Sequence, residues 1–203
     1  MRVGKKRKYK GEKNMKRNKG MKLGAMPAAV LLVFLVLAST PASAYIYDGY
    51  RWEGTSASYG WDWLGSIPTG WKDPIRNAAA AWNSAGSVFR FNEDFWTANL
   101  YKGSLGSSGP IAQADTWVKS GTTTITKMTI TFNGDYSWST TGESGKHDVQ
   151  NTATHEFGHW LKLRDLRGSG DTEKTMYYGA TTGETKKRTL EQDDKDGIIH
   201  IYG

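Results

Sequence analysis

Five consecutive residues, His155-Glu156-Phe157-Gly158-His159, contain side chains that bind a metal and accept a proton. On an α-helix, positions i and i+4 lie about 40° apart on one face and one turn apart along the axis, so His155 and His159 can reach a single ion. Glu156 lies beside them, where it can accept a proton from a zinc-bound water, whose pKa falls to about 7. The pattern predicts zinc-dependent hydrolysis of a peptide bond.

A catalytic zinc site needs a third protein ligand and one open position. Asp165, six residues after His159, can supply that ligand if the chain leaves the helix after about Leu161 and turns back under the metal. If the turn takes another course, the alternatives are Asp171, Glu173 and His147. Without a third ligand, the motif would be a chance match on a solvated helix.

Three segments in order along the chain resemble the metzincin clan of zinc proteases, and within it the matrixins. The segment from His155 to Asp165 resembles the signature HExxHxxGxxH/D in the form that ends in Asp. Thr175-Met176-Tyr177-Tyr178 is similar to the Met-turn of that clan. Residues 189–198, with Ile201-Tyr202-Gly203, closely resemble the closing helix of matrixins.

The resemblance implies an α+β catalytic domain with a mixed, mostly parallel twisted sheet, an active-site helix, a Met-turn and a C-terminal helix. It also implies a shallow substrate cleft along an edge strand. The implied zinc ligands are His155, His159 and Asp165. Glu156 would act as general base and then acid, and Met176 would form an apolar floor beneath the metal. Tyr178 matches a tyrosine that some metzincins place near the oxyanion, although an ordinary packed aromatic is the alternative.

One residue departs from the family pattern at the exit from the helix. Lys162 stands where the family has a glycine that turns the chain with φ > 0. A non-glycine residue in that conformation costs roughly 1–2 kcal/mol. Either this strain is tolerated, or the helix ends differently and Asp165 misses the metal.

Capping and periodicity predict three helices. Asp73 can cap a helix that has Pro74 in its first position and continues toward Gly86. A second helix runs from Asp148 to about Leu163, with one side packed from below. The residues on that packed side are Val149, Ala153 and Phe157. Thr189 and Gln192 form a capping box for the last helix.

Strand signals occupy the stretches between the helices. Ser87–Phe91 and Thr122–Phe132 are rich in β-branched and aromatic residues, and the second has apolar residues alternating on one face at Met128, Ile130 and Phe132. The pattern of residues 45–70 predicts an irregular segment with one or two short strands. Residues 103–121 predict a loop or two short strands, with Trp117-Val118 as the apolar anchor. This order of elements indicates an α+β fold.

The charge distribution predicts an export signal. The 203 residues carry a net charge of +7, but residues 1–44 hold 11 Lys and Arg against one acid, Glu12. An apolar run, Ala28–Ala38, follows, and Ala42-Ser43-Ala44 forms a cleavage pattern. Even counted generously, the run has about 14 apolar residues, short of the ~20 that an uncleaved membrane anchor needs. We therefore predict a secretory signal peptide at 1–44 and a catalytic domain at 45–203.

The predicted domain is mildly acidic, with 16 basic and 19 acidic residues, so its charge does not indicate nucleic acid. Lys186-Lys187-Arg188 is interpreted as a short solvated run. The chain has no cysteine, which excludes disulfides, thiolate ligands and a cysteine nucleophile. We expect a secreted, extracellular monomer that acts on a protein or peptide substrate, requires Zn²⁺ and has no membrane association after cleavage. The resemblance adds a possible structural Ca²⁺.

Two other functions fit parts of this pattern. All nine Trp lie after residue 44, and Trp61, Trp63 and Trp71 could form a carbohydrate platform on a binding module with a structural zinc. Packing into a rigid core is the simpler interpretation of these aromatics. The second alternative is a zinc protease of another clan, whose third ligand is a Glu further along the chain.

Overall fold

We describe the fold from a computed structural model of the chain, in which residues 45–203 are described. The predicted signal peptide at 1–44 lies outside the described residues. Within residues 45–203, no helix is both long and apolar enough to span a membrane.

The described part of the chain contains three α-helices, which are α1 (Lys72–Asn83), α2 (Val149–Trp160) and α3 (Gln192–Tyr202). Helix α1 is amphipathic, and the residues of its buried face recur at three- and four-residue intervals: Ile75, Ala78, Ala79 and Trp82. This face packs on α2, where the Trp82 indole donates to the carbonyl of Thr154 at 2.8 Å.

Eight short strands lie around these helices. They are β1 (Arg51–Trp52), β2 (Ser56–Tyr59), β3 (Arg90–Glu93), β4 (Leu100–Gly103), β5 (Ala112–Val118), β6 (Thr124–Asn133), β7 (Trp138–Ser139) and β8 (His147–Asp148). Strand β6 is the centre of the main sheet and pairs in parallel with β1 and β4. Strands β2 and β3 pair in parallel, and a parallel bridge from Trp61 to Leu100 joins this pair to β4. The predicted mixed, mostly parallel sheet is confirmed.

Strand β5 is antiparallel to β6 and pairs with no other strand among the described residues. Its second edge is therefore available to a ligand, because the backbone groups of an edge strand have no ladder partner there. Residues Ala112, Gln113 and Ala114 on this strand line the cleft described below.

The core lies between the sheet and helices α1 and α2. The predicted inward face of β6 is confirmed, since Met128, Ile130 and Phe132 are all essentially inaccessible to solvent. The lower side of α2 is buried as predicted, at Val149, Ala153 and Phe157. Full burial of a Val or Phe side chain contributes roughly 1.5–3 kcal/mol, so this face holds α2 firmly against the sheet.

Two predicted element boundaries are wrong for tertiary reasons. Asp73 does not cap α1, because the helix already begins at Lys72 after a 3₁₀ turn at Thr69–Trp71. Trp71 holds that turn in place by packing against Phe132 and Trp138. The strand predicted at Ser87–Phe91 is observed at Arg90–Glu93, since Ser87 instead turns the chain by accepting the amide of Phe89.

Two further details differ from the prediction. Trp117 and Val118 are not an apolar anchor, because they lie at the end of the edge strand and are 47% and 41% exposed. Thr189 does not start the last helix. It is occupied by hydrogen bonds with Lys186 and Thr175, and α3 begins after Glu191 instead, with the Asp194 carboxylate accepting the Glu191 amide at 2.9 Å.

Candidate metal centre and cleft

Helix α2 starts at a buried aspartate. Asp148 caps the helix by accepting the amide of Asn151 at 2.9 Å, as Asp at this position commonly does. The same carboxylate accepts from Arg188 Nε at 2.9 Å, and the Asp148 side chain is fully buried. The start of α2 is therefore joined directly to the chain segment that follows the Met-turn sequence.

The two histidines of α2 are oriented by backbone carbonyls. His155 Nδ1 lies 2.8 Å from the oxygen of Thr175, and His159 Nδ1 lies 2.8 Å from the oxygen of Leu163. A carbonyl can only accept, so we assign the ring proton to Nδ1 in both residues. This tautomer leaves a lone pair on each Nε2, and these two atoms are 3.1 Å apart.

The turn at Lys162 brings Asp165 close to the two histidines. Lys162 adopts φ 63°, and it is the one non-glycine residue with positive φ among those described. The Lys162 amide donates to the carbonyl of His159 at 2.9 Å and the Leu163 amide to that of Gly158 at 3.1 Å. These bonds form a Schellman motif, with lysine in the position usually taken by glycine. The chain therefore tolerates the strain, and the helix ends as in the family pattern.

Asp165 completes a group of three convergent acceptors. Its Oδ1 lies 3.3 Å from Nε2 of His155 and 3.5 Å from Nε2 of His159. This oxygen is buried and has no hydrogen-bond donor among the described residues. Ligand atoms at about 2.0–2.1 Å from a tetrahedral zinc ion are roughly 3.3 Å from each other, which matches these separations. The three residues therefore fit a zinc ion with an open fourth position.

The electrostatics of the group also favour a cation. Burial alone would raise the pKa of Asp165, but the two neighbouring imidazoles outweigh it and hold that pKa well below its usual range. Burial lowers the pKa of His159, whereas Asp165, Glu156 and the Leu163 carbonyl together raise it above its ordinary value. Both shifts have one physical cause, which is the attraction between the Asp165 carboxylate and a positively charged neighbour, and a metal cation would meet the same carboxylate.

Met176 packs against a glycine of the motif, Gly158. It is 1% exposed, and a Cβ on Gly158 would lie only 2.2 Å from its sulfur atom. Gly158 therefore permits this close approach. The Leu166 amide donates to the carbonyl of Met176 at 2.8 Å, and the Tyr178 amide donates to that of Leu166 at 3.0 Å. These bonds fix Leu166, the neighbour of Asp165, against the Met-turn.

A cleft of about 680 Å³ opens above these residues, between β5 on one side and residues 178–180 on the other. Glu156 is 5% exposed and lines this cleft together with both histidines and Asp165. Tyr178 is half exposed at the rim, with the Arg167 guanidinium 4.7 Å from its ring centre. Residues of β5, the three acceptors and Glu156 therefore line one cleft.

The other candidate ligands lie elsewhere. Asp171 pairs with Lys174 at 2.7 Å and Glu173 pairs with Lys186 at 3.2 Å. His147 packs against the rings of Tyr136 and Trp138, and burial lowers the pKa of His147. His200 lies against the rings of Tyr45 and Tyr47. Across residues 45–203, one group of three or more His, Cys, Asp or Glu side chains is close enough to hold a metal, and it is His155, His159 and Asp165.

The proposed tryptophan platform does not form. Trp71 is 7% exposed and belongs to the core, whereas Trp63 is 75% exposed. The Trp61 indole donates to Glu93 at 2.9 Å, beside Lys72 and Arg76. These three side chains therefore do not share one flat exposed surface.

The sequence interpretation missed two basic residues of the site. Lys186-Lys187-Arg188 is not a solvated run, because Lys187 is 2% exposed and Arg188 pairs with the buried Asp148. Lys187 Nζ donates to the carbonyls of Tyr177 and Gly179 and lines the cleft. A run of three adjacent cations does not show which of them is buried. The acceptors of Lys187 are the backbone carbonyls of Tyr177 and Gly179, which a charge pattern does not reveal.

Comparison with known proteins places these observations in a family context. The sequence profile of the Matrixin family matches residues 71–203. The chain is 33% identical to matrix metalloproteinase-9 from Canis lupus familiaris over 159 residues, which are 77% of the chain and 19% of that protein. It is 39% identical to neutrophil collagenase from Homo sapiens over 72 residues, covering 36% of the chain and 14% of the relative.

A plant protein, metalloendoproteinase 1 from Glycine max, is 33% identical over 78 residues, covering 36% of the chain and 24% of that protein. The chain therefore spans less than a quarter of the length of each of these three relatives.

Proposed function

The chain belongs to the matrixin family of metalloendopeptidases, and from this premise we propose that it is a secreted zinc endopeptidase whose catalytic base is Glu156. The observation that carries the proposal is the convergence of His155, His159 and Asp165, with Glu156 in the same cleft. Family membership also disfavours the alternative of a zinc protease of another clan.

The three convergent residues are proposed to hold zinc. Bound there, zinc would supply a Lewis acid that polarises the scissile carbonyl and lowers the pKa of a coordinated water. His155 and His159 would direct their Nε2 lone pairs at the metal, because the carbonyls of Thr175 and Leu163 hold the opposite ring nitrogens. Such outer partners maintain the tautomer and the ring orientation.

Glu156 is proposed to transfer the proton. Its carboxylate accepts a proton from the attacking water and passes it to the departing amine nitrogen, which is general base and then general acid catalysis. Tyr178 is proposed to donate a hydrogen bond to the developing oxyanion, because its half-exposed ring lines the same cleft. The free edge of β5 is proposed to hold the substrate backbone in an extended conformation.

The decisive test is Glu156→Ala with a matched control. The control is Glu143→Ala, an exposed acid that pairs with Lys146 and does not line the cleft. We expect Glu156→Ala to keep its zinc and to lose at least about 10³-fold in kcat/KM on a peptide library, while the control keeps both. Undiminished cleavage by Glu156→Ala would refute the role of this residue.

The requirement for zinc is tested with the purified wild-type protein. A zinc chelator should abolish cleavage by the wild-type protein, and added zinc should restore it. Elemental analysis of the purified protein should find about one zinc per chain, because residues 45–203 contain one group of side chains that could hold a metal. The same measurement tests the structural calcium that the family implies.

Export is proposed for residues 1–44. The test is N-terminal sequencing of the protein recovered from the medium of an expressing cell. A mature chain that begins at Tyr45 supports cleavage after Ala44. Retention of the full segment on a cell-associated protein contradicts it.

A further inference from the structure

Lys187 is a buried cation at the wall of the cleft. Its side chain is 2% exposed, yet it lines the cleft beside Asn151, Thr152 and Glu156. Its backbone amide donates to the side-chain oxygen of Asn151 at 2.8 Å, which fixes the residue against the first turn of α2. The position of the ammonium group is therefore determined by two parts of the fold.

The ammonium group of Lys187 has acceptors but no counter-charge in contact. It donates to the carbonyls of Tyr177 and Gly179, which leaves one of its three N–H groups. No carboxylate of residues 45–203 forms an ion pair with it, and Glu184, Asp165 and Glu156 act only at longer range. Burial lowers the pKa of Lys187. An uncompensated buried charge is costly, so an anion that enters the cleft gains a strong partner.

The whole cleft shows the same excess of positive charge. Its charged lining residues comprise four bases, Lys162, Arg164, Arg167 and Lys187, and three acids, Asp48, Glu156 and Asp165. Asp48 is already paired with Lys162 at 3.5 Å, and Asp165 is a proposed metal ligand. Residues 45–203 nevertheless have more acids than bases. The local surplus of bases is thus a property of the cleft and not of the domain.

We propose that Lys187 selects an acidic side chain of the substrate, Glu or Asp, next to the scissile bond. The proposal rests on the proposed peptidase function and names its substrate class. The carboxylate of that side chain accepts from the remaining Lys187 N–H and supplies the missing counter-charge. Residues 178–180 and the first turn of α2 form the walls around it.

The test uses peptide sets that differ at one position. In a peptide cleaved by the wild-type protein, each position flanking the scissile bond is replaced in turn by Glu, Gln and Leu. We expect one position where Glu exceeds Gln by about tenfold or more in kcat/KM, the range of a hydrogen bond to a charged group. Equal rates for Glu and Gln at every position would overturn the proposal.

Two variants test whether Lys187 is responsible for the preference for Glu over Gln. In Lys187→Met the Glu to Gln ratio should fall to about one, whatever the absolute rate. In Lys186→Met it should stay at the wild-type value, since Lys186 does not line the cleft and pairs with Glu173. A wild-type ratio in Lys187→Met would overturn the proposal. Because Lys187 also holds two carbonyls, this variant can lose its fold, and the wild-type peptide comparison then decides alone.

A binding measurement separates this proposal from the proposed function. Calorimetry on Glu156→Ala should show about tenfold tighter binding of the Glu peptide than of its Gln partner, and Glu156→Ala/Lys187→Met should show equal binding. Equal binding by Glu156→Ala itself counts against Lys187 selectivity. If no library peptide is cleaved by the wild-type protein but the binding preference is present, the peptidase function fails and the selectivity stands.

Discussion

Two regions meet at the cleft, and they are stabilised in different ways. The ligand segment, residues 148–165, is held mainly by local bonds, which are the Asp148 cap, the helix ladder and the Schellman turn at Lys162. The wall segment, residues 174–188, has one 3₁₀ turn and is held by distant polar groups. In the wall segment, Thr175 bonds to Asp194 and Arg188 pairs with Asp148.

This difference separates catalysis from recognition. The proposed metal ligands lie on one helix and on the turn that follows it, so their arrangement depends mainly on local geometry. The wall segment depends on buried polar contacts between residues far apart in the chain, and its Thr175 carbonyl is the group that contacts a proposed ligand, His155. We therefore expect variants in the ligand segment to reduce metal binding and turnover, and variants in the wall segment to change stability and selectivity.

The largest effect is expected for Asp165→Ala in the ligand segment. Loss of an outer partner of a metal ligand already costs about 10–100-fold in affinity, so removal of a ligand should cost zinc affinity at least about 100-fold and turnover with it. Chelator competition measures the affinity. Glu173→Ala is the control. This acid lies between the two segments and pairs with Lys186 of the wall segment. Unchanged zinc affinity in Asp165→Ala would mean that another residue is the third ligand.

The next largest effect is expected for Arg188→Met in the wall segment. The variant leaves the fully buried Asp148 without its ionic partner, and such a loss costs about 3–5 kcal/mol in free energy of unfolding. Because Arg188 is 28% exposed, we expect the lower end of that range. Urea unfolding followed by tryptophan fluorescence measures it. Lys146→Met, which breaks an exposed pair, should cost under about 1 kcal/mol, and similar losses in both variants would argue against the buried pair.

Gly158→Ala tests the point where the two segments touch. The added Cβ would lie 2.2 Å from the Met176 sulfur and 3.0 Å from the Trp82 ring. Overpacking of this kind costs about 1–3 kcal/mol, which exceeds the gain of up to about 1 kcal/mol from alanine in a helix. Thermal unfolding should show a net loss of stability. In a Met176→Ala background the loss should be smaller, and an equal loss there would exclude Met176 as its cause.

The smallest effect is expected at Lys162, within the ligand segment. Lys162→Gly should be more stable than Lys162→Ala by about 1 kcal/mol, because both lose the lysine contacts but only alanine retains a Cβ at φ 63°. The comparison of the two variants isolates backbone strain from the contact between Lys162 and Asp48, where Nζ and Oδ2 are 3.5 Å apart. Equal stabilities in urea unfolding would show that the turn carries no strain.

Much of the site could be predicted because its information is local. The spacing of His155 and His159, the helix that starts near Asp148 and the alternation along β6 each follow from the residue pattern of one element, and the structure confirms these elements. The position of Asp165 does not follow from residue spacing alone, because Lys162 lacks the conformational freedom of glycine and only the bonds around the turn show that it adopts the required φ.

Other features could not be predicted from periodicity. The start of α1 depends on Trp71, which packs against residues about 60 positions later in the chain. The length and exposure of β5 depend on its pairing with β6, because buried and exposed residues do not alternate regularly along β5 itself. The burial of Lys187 depends on carbonyls in the wall segment, which a charge pattern does not reveal.

The sequence by itself determined the pair of histidines, the adjacent acid, the candidate third ligand and the family, because helical spacing and ordered motifs are properties of the chain. The tertiary structure alone decided that Asp165 meets the histidines, that Met176 packs against Gly158 and that Lys187 lies in the cleft wall. For Asp165 and Lys187 the physical reason is that a buried polar group needs partners, and turns of the folded chain bring those partners close. For Met176 the reason is packing against a helix from another segment.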